Sequence, residues 1–141
     1  MRAVLDPNVV ISGVLSSRGA PADVLHVLGA GEFELIVSQA LLGELERALA
    51  YPKLRRHISE PDAAELVRWV AGSATVVADP ETDPPVHSRD RDDDYLISLA
   101  SAHRAALVSG DKHLLALEGE IPVFSPRAFL DLLVAPERRD W

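Results

Sequence analysis

The sequence predicts an α/β fold: three layers, α/β/α, with helices packed on both faces of a central parallel sheet of about five strands. Two observations carry this. Short apolar runs alternate with segments of helical periodicity along nearly the whole chain, and acidic residues fall at or just past the ends of several apolar runs. A third concerns continuity. At 141 residues, 48% apolar and 26% charged, the chain has the composition of one globular domain, and no repeat, low-complexity tract or linker divides it. Residues 1–135 are expected to form that domain, with 136–141 a weakly anchored tail.

Arg2-Ala3-Val4-Leu5 reads as a short buried strand. Val9 to Leu15 has helical spacing despite Gly13, and Ser16-Ser17-Arg18-Gly19 is a loop. Ala20-Pro21-Ala22-Asp23 starts a second helix that Gly29 and Gly31 close. Glu34-Leu35-Ile36-Val37 is a strand running into Ser38, a helix N-cap. Leu41, Leu42, Leu45, Ala48 and Leu49 follow at helical spacing until Pro52 ends that helix. Ser59-Glu60-Pro61-Asp62 resembles a capping box before a helix carrying Ala63, Leu66, Val67 and Val70. Thr75-Val76-Val77 is a short strand, and the proline-rich stretch 79–89 is a loop. A helix through Tyr95–Ala100 begins in the acidic run before it. Strand 106–108, a helical turn from Lys112 to Leu117, strand Ile121–Phe124 and a helix near Pro126–Val134 complete the alternation.

No apolar run approaches the ~20 residues of a membrane-spanning helix, and Arg2 and Asp6 come too early for a signal-peptide apolar region. The absence of cysteine excludes disulfides, a thiol nucleophile and thiolate metal sites, and a cytoplasmic location is expected. The net charge of −8 is the wrong sign for tight non-specific nucleic-acid binding. Setting aside Asp6, Glu44, Asp90, Asp92, Asp93, Asp94 and Asp111 brings the remainder to −1, so most of the excess belongs to one set of residues. The five histidines show no zinc spacing, and neither a phosphate-binding glycine loop nor a nucleophile elbow is present.

That acidic set is the informative feature. Asp6 ends the first strand, Glu44 lies in the helix after the second, four acids crowd into Asp90–Asp94, and Asp111 follows the strand 106–108. In an open parallel sheet these positions share the edge at the strands' carboxyl ends, where ligands bind. Taken singly, each acid reads as a loop cap, a solvated helix residue or a charged helix start. Taken together, they repel unless a hard divalent cation neutralises them, and oxygen-only ligation suits Mg²⁺ or Mn²⁺. Metal-assisted phosphodiester chemistry is the reaction class this implies.

Val4-Leu5-Asp6-Pro7-Asn8-Val9-Val10-Ile11-Ser12 resembles the opening of the PIN-domain ribonucleases. Ser38-Gln39-Ala40-Leu41-Leu42-Gly43-Glu44-Leu45 resembles their second motif, Arg89-Asp90-Arg91-Asp92-Asp93-Asp94-Tyr95-Leu96-Ile97 their third, and Leu107-Val108-Ser109-Gly110-Asp111-Lys112 their fourth. The resemblance runs in order from about residue 2 to 130 and is nearest to the toxin components of bacterial toxin–antitoxin pairs. It implies a metal-dependent endoribonuclease with Mg²⁺ or Mn²⁺ held by Asp6, Asp94 and Asp111, Glu44 close by, and Asp90 as an additional acid. Asp93 competes with Asp94, because the triple Asp leaves the register uncertain by one. Asn8 and Ser109 match supporting polar residues. The carry-over also implies an RNA substrate, a homodimer and a small antitoxin protein, whose groove would lie over Leu25, Leu28, Leu45 and Leu49 unless those residues equally belong to the core.

Arg18, Arg89, Arg91 and Lys112 are the expected substrate contacts, whereas Lys53-Leu54-Arg55-Arg56-His57 reads as a solvated helix end. Two departures from the pattern are Pro7, where a threonine is usual, and His113, where this subgroup often has an acid. They motivate a second reading, a non-catalytic binding module with a degenerate site. A third is a receiver-like signalling domain, with Asp79 at the end of the third strand as phosphoacceptor.

Overall fold

A computed structural model describes residues 1–134. The expected tail, 136–141, lies outside the described residues. The chain begins with β1 (Arg2–Leu5), α1 (Pro7–Leu15), α2 (Ala20–Gly29) and β2 (Glu34–Ser38), and continues through α3 (Gln39–Leu49), α4 (Pro52–Arg55), α5 (Glu60–Gly72) and β3 (Ala74–Val77). After the proline-rich loop come a 3₁₀ turn (Arg91–Asp93), α6 (Asp94–Ala102), β4 (Ala106–Val108), α7 (Lys112–Leu115), β5 (Val123–Phe124) and α8 (Pro126–Val134).

The five strands form one all-parallel sheet in the order β3-β2-β1-β4-β5. The chain builds outward from β1 to one side and then returns to build outward to the other. The switch point therefore lies between β1 and β4, where open sheets of this kind bind ligands. β1, β2 and β4 are inside the sheet and nearly continuously buried, as both-face coverage requires. β3 is an edge strand, and its Thr75 and Val76 are exposed. The helices press Val10, Val24, Leu28, Leu45, Leu96, Leu99 and Phe129 into the core with the strand residues.

Local chemistry explains most boundaries. Ser38 caps α3 by accepting from the Leu41 amide at 3.3 Å, and Ser59 caps α5 from the Asp62 amide at 3.2 Å. Gly13 lies inside α1 because α2 crosses so closely that a Cβ there would stand 2.8 Å from the Pro21 carbonyl oxygen. Arg104 follows α6 with φ +50 and completes its C-terminal cap, with the Ala105 amide bonded to the Ala100 carbonyl at 2.9 Å.

α3 stops at Leu49 with Pro52 just beyond its end, and the same proline opens α4, a short helix not expected from the sequence, because proline is suited to a helix's first position. Two expectations are corrected. Leu28, Leu45 and Leu49 are buried and Leu25 packs against the same core, so these four do not form an open groove. The receiver-like reading fails on topology. That fold places its third strand inside the sheet, whereas β3 is at the edge and exposed Asp79 caps α3 by accepting from the Ala40 amide at 3.1 Å. Among the described residues, no helix is long and apolar enough to cross a membrane.

Candidate active site

The site begins with the register of β1 on β4. Leu5 pairs with Val108, so the next residues, Asp6 and Ser109, emerge side by side at the carboxyl edge. Asp6 is 5% exposed and caps α1, its Oδ1 accepting from the Asn8 amide at 3.0 Å. Its Oδ2 accepts from Ser109 Oγ at 2.8 Å, and that fully buried hydroxyl in turn accepts from the Asp111 amide at 3.0 Å. Asp111 caps α7, with Oδ1 accepting from the His113 amide at 2.7 Å. Pro7 occupies the first position of α1, where an amide hydrogen would have no helical partner, so the missing donor costs the helix nothing.

Asp93 joins this pair from α6, where it is the N-cap residue. Burial, then the charges of Asp6, Asp111 and Asp90, push its carboxyl up to about 6, and a proton on it is held by a hydrogen bond to Asp111. Burial also raises Asp6 above the usual carboxylate range, and the charge of Asp111 adds to this, while the Asn8 amide and the Ser109 hydroxyl work in the opposite direction. A cavity of about 370 Å³ opens beside these acids, lined in part by Asp6, Asn8, Glu44, Asp93 and Tyr95. A second hollow of about 320 Å³ shares Asp6 and Asn8 and reaches Asp111.

Asp94, the first choice among the crowded acids, turns away from the cluster. Its Oδ1 accepts from the Ser88 amide at 2.7 Å, and its Oδ2 meets His87 Nδ1 at 2.6 Å and Arg91 Nε at 3.0 Å. Burial would raise its pKa, but the His87 and Ser88 hydrogen bonds and the charges of His87 and Arg91 outweigh that and hold it below the usual range. Asp94 therefore fastens the proline-rich loop to the start of α6, and Asp93 occupies the place expected for it. Asp90, expected as an additional metal acid, caps the 3₁₀ turn through a 3.0 Å bond from the Asp92 amide and bears on Asp93 by charge.

The remaining expected residues fall as follows. Glu44 lines the main cavity, and Arg47, one helical turn on, places both Nε and Nη2 on its Oε1. Arg89 and Arg91 are exposed beside the acidic turn, although Arg91 is engaged with Asp94. Arg18 is exposed in the loop after α1, and exposed Lys112 lines a different hollow, next to β5. Arg47, Tyr95, His87 and Ser88 were not singled out by sequence reasoning. The i,i+3 spacing of Glu44 and Arg47 was a readable signal. The His87–Asp94 link was not, since it depends on how the loop returns.

Residues 2–113 match the family profile of the PIN domain, a span covering all four acidic motifs. This chain belongs to the PIN domain family. PIN domains are generally nucleases. A curated relative, an uncharacterized protein of Methanocaldococcus jannaschii named MJ1680, is 28% identical over 120 residues, covering 85% of this chain and 77% of the relative.

The PIN domain's acids can be tested for fit to a cation on their own chemistry. Among the described residues, no group of three or more His, Asp or Glu side chains is arranged so that it could hold a metal ion as it stands. The donor set nonetheless fits a hard divalent ion. All donors are carboxylate oxygens, and Asp93 and Asp111 stand close enough to share a proton, the position a cation would relieve.

Proposed function

We propose that this PIN domain is an endoribonuclease dependent on Mg²⁺ or Mn²⁺, with Asp6, Asp93 and Asp111 as the acids that hold the cation and Glu44 alongside. The observation that carries this is that Asp6 and Asp111 are joined through one buried hydroxyl at the switch point, with Asp93 near enough to feel both charges.

A cation bound there would neutralise phosphate charge and lower the pKa of a water. The chain supplies the positioning. Asp6 is immobilised by Asn8 and Ser109, so its carboxylate is presented in one orientation. Glu44, exposed in the cleft and bonded by Arg47, would accept a proton from a water attacking phosphorus in line. Arg89, Arg91, Arg18 and Lys112 offer exposed positive charge for the RNA backbone. The motif resemblance supports a further step: the enzyme acts as the toxin of a toxin–antitoxin pair, as a homodimer restrained by a small antitoxin. Pro7 gives the degenerate-module reading no support, because it suits the position it occupies.

The test is cleavage of a panel of RNAs by the purified chain in Mn²⁺, in EDTA, and as Asp6→Ala and Asp93→Asn. Cleavage in Mn²⁺ that falls to background in the other three is expected. Equal cleavage by wild type and both variants would sink the assignment. For the toxin role, expression should arrest growth and Asp93→Asn should relieve the arrest; unimpeded growth with the active enzyme counts against it.

A further inference from the structure

Among the described residues, Tyr95 is the one aromatic residue lining the carboxylate cavity. It lies in the first turn of α6, half-buried, two residues after Asp93 and immediately before buried Leu96. Its surroundings are unusual for a phenol. Glu44, Asp6 and Asp93 all act on it through space, with Arg47 opposing them. Its O–H is an uncharged donor in a cavity otherwise dominated by acids.

An RNA phosphodiester approaching this cavity meets Asp6, Glu44 and Asp93, which repel it. Donors without positive charge can bind the phosphate without competing with a cation for the carboxylates. Among the described residues, the cavity lining has two such side chains, Asn8 and Tyr95. Asn8 belongs to the start of α1, where its backbone amide bonds Asp6. Tyr95 comes from the same helix start as Asp93, so its hydroxyl and the Asp93 carboxylate are held in one rigid frame.

We propose that Tyr95 is a substrate-contacting residue whose phenolic O–H donates a hydrogen bond to a non-bridging oxygen of the RNA phosphate under attack. The inference rests on the ribonuclease reading above and adds to it a recognition element for the reacting phosphate. Its contribution is orientation: the phosphate is pinned from the α6 side of the cavity.

The experiment compares wild type, Tyr95→Phe and Tyr95→Leu in Mn²⁺ on one RNA that the wild type cleaves, and on the same RNA with sulfur replacing a non-bridging oxygen at each phosphate. Tyr95→Phe keeps the ring and should melt as the wild type does. Its kcat should fall roughly tenfold or more, the scale of a lost hydrogen bond to a charged group, with KM little changed. Its penalty for sulfur substitution should also be smaller than the wild type's, a difference that a purely structural residue would not produce. Wild-type kcat in Tyr95→Phe overturns the proposal, and if Tyr95→Leu alone is slow, the ring and not the hydroxyl matters. Cleavage that depends on Asp93 but not on Tyr95 overturns this inference alone. Absence of cleavage by the wild type overturns the ribonuclease reading and this inference together.

Discussion

Ser109 Oγ donates to Asp6 Oδ2 at 2.8 Å across 103 positions of the chain, and the same oxygen accepts from the Asp111 amide at 3.0 Å. One buried hydroxyl thus ties the end of β1 to the loop after β4 and sets the spacing between two of the acids. Ser109→Ala removes both bonds and leaves a buried carboxylate oxygen and an amide short of a partner. The expected loss is about 1–3 kcal/mol of stability, read by urea denaturation, together with a drop in RNA cleavage. A variant as stable and as active as the wild type would show that the hydroxyl does not organise the site.

Adjacent acids should answer mutation in opposite ways. Asp93→Asn relieves the crowding with Asp6 and Asp111, so the metal-free protein should gain stability at neutral pH while cleavage falls to background. Asp94→Asn weakens the carboxylate's hold on His87, Ser88 and Arg91, so it should cost about 1–2 kcal/mol and leave much of the cleavage intact. Melting curves in EDTA and single-turnover rates in Mn²⁺ check both halves. The reverse pattern would return the metal-site role to Asp94.

That reversal also marks what could be read in the chain alone. The layers, the parallel sheet and the positions of Asp6, Glu44 and Asp111 were legible, because apolar runs end where those acids begin. The choice within Asp92-Asp93-Asp94 was not. On a helix start, consecutive residues point roughly 100° apart, and which one faces β1 depends on where the 3₁₀ turn gives way to α6. The sequence also hides the return of His87 and Ser88 to Asp94, because that contact is made by an irregular proline-rich loop. α4 was hidden for a simpler reason: proline serves both to stop one helix and to start the next, and Pro52 does both.

Gly13 offers a test of the frame that carries Asp6. A methyl group at this position would meet Leu25 Cδ1 at 2.7 Å and the Pro21 carbonyl oxygen at 2.8 Å. The leucine can rotate, but the carbonyl belongs to the first turn of α2 and moves only with the helix. Gly13→Ala should therefore destabilise by about 1–3 kcal/mol despite alanine's better helix propensity. Thermal melting of the variant checks this. An unchanged or raised Tm would mean that α1 and α2 are free to separate.

The pH dependence of the metal-free protein follows from the acids with shifted carboxyls. Asp93 titrates at about 6 in the folded chain against an ordinary 3.8, so between those values the folded state holds a proton that the unfolded chain has released. Stability therefore falls as pH rises through this window, and Asp6, also raised, acts in the same direction. Asp94 is lowered, so its contribution is present above the ordinary value and is lost as pH falls through its folded value. Metal-free protein should accordingly be more stable near pH 5 than near pH 7.5, and should weaken again below about pH 4. Solvent screening of a part-exposed carboxyl keeps the upper effect near ~1 kcal/mol, a few degrees in Tm. Millimolar Mn²⁺ should reverse the trend, raising Tm more at pH 7.5 than at pH 5, because the cation and the proton compete for the same carboxylates. Melting curves across pH with and without Mn²⁺ decide it: a Tm that rises steadily from pH 5 to 7.5 in EDTA, or that ignores Mn²⁺ at pH 7.5, would show that Asp93 is not crowded by the acids it faces.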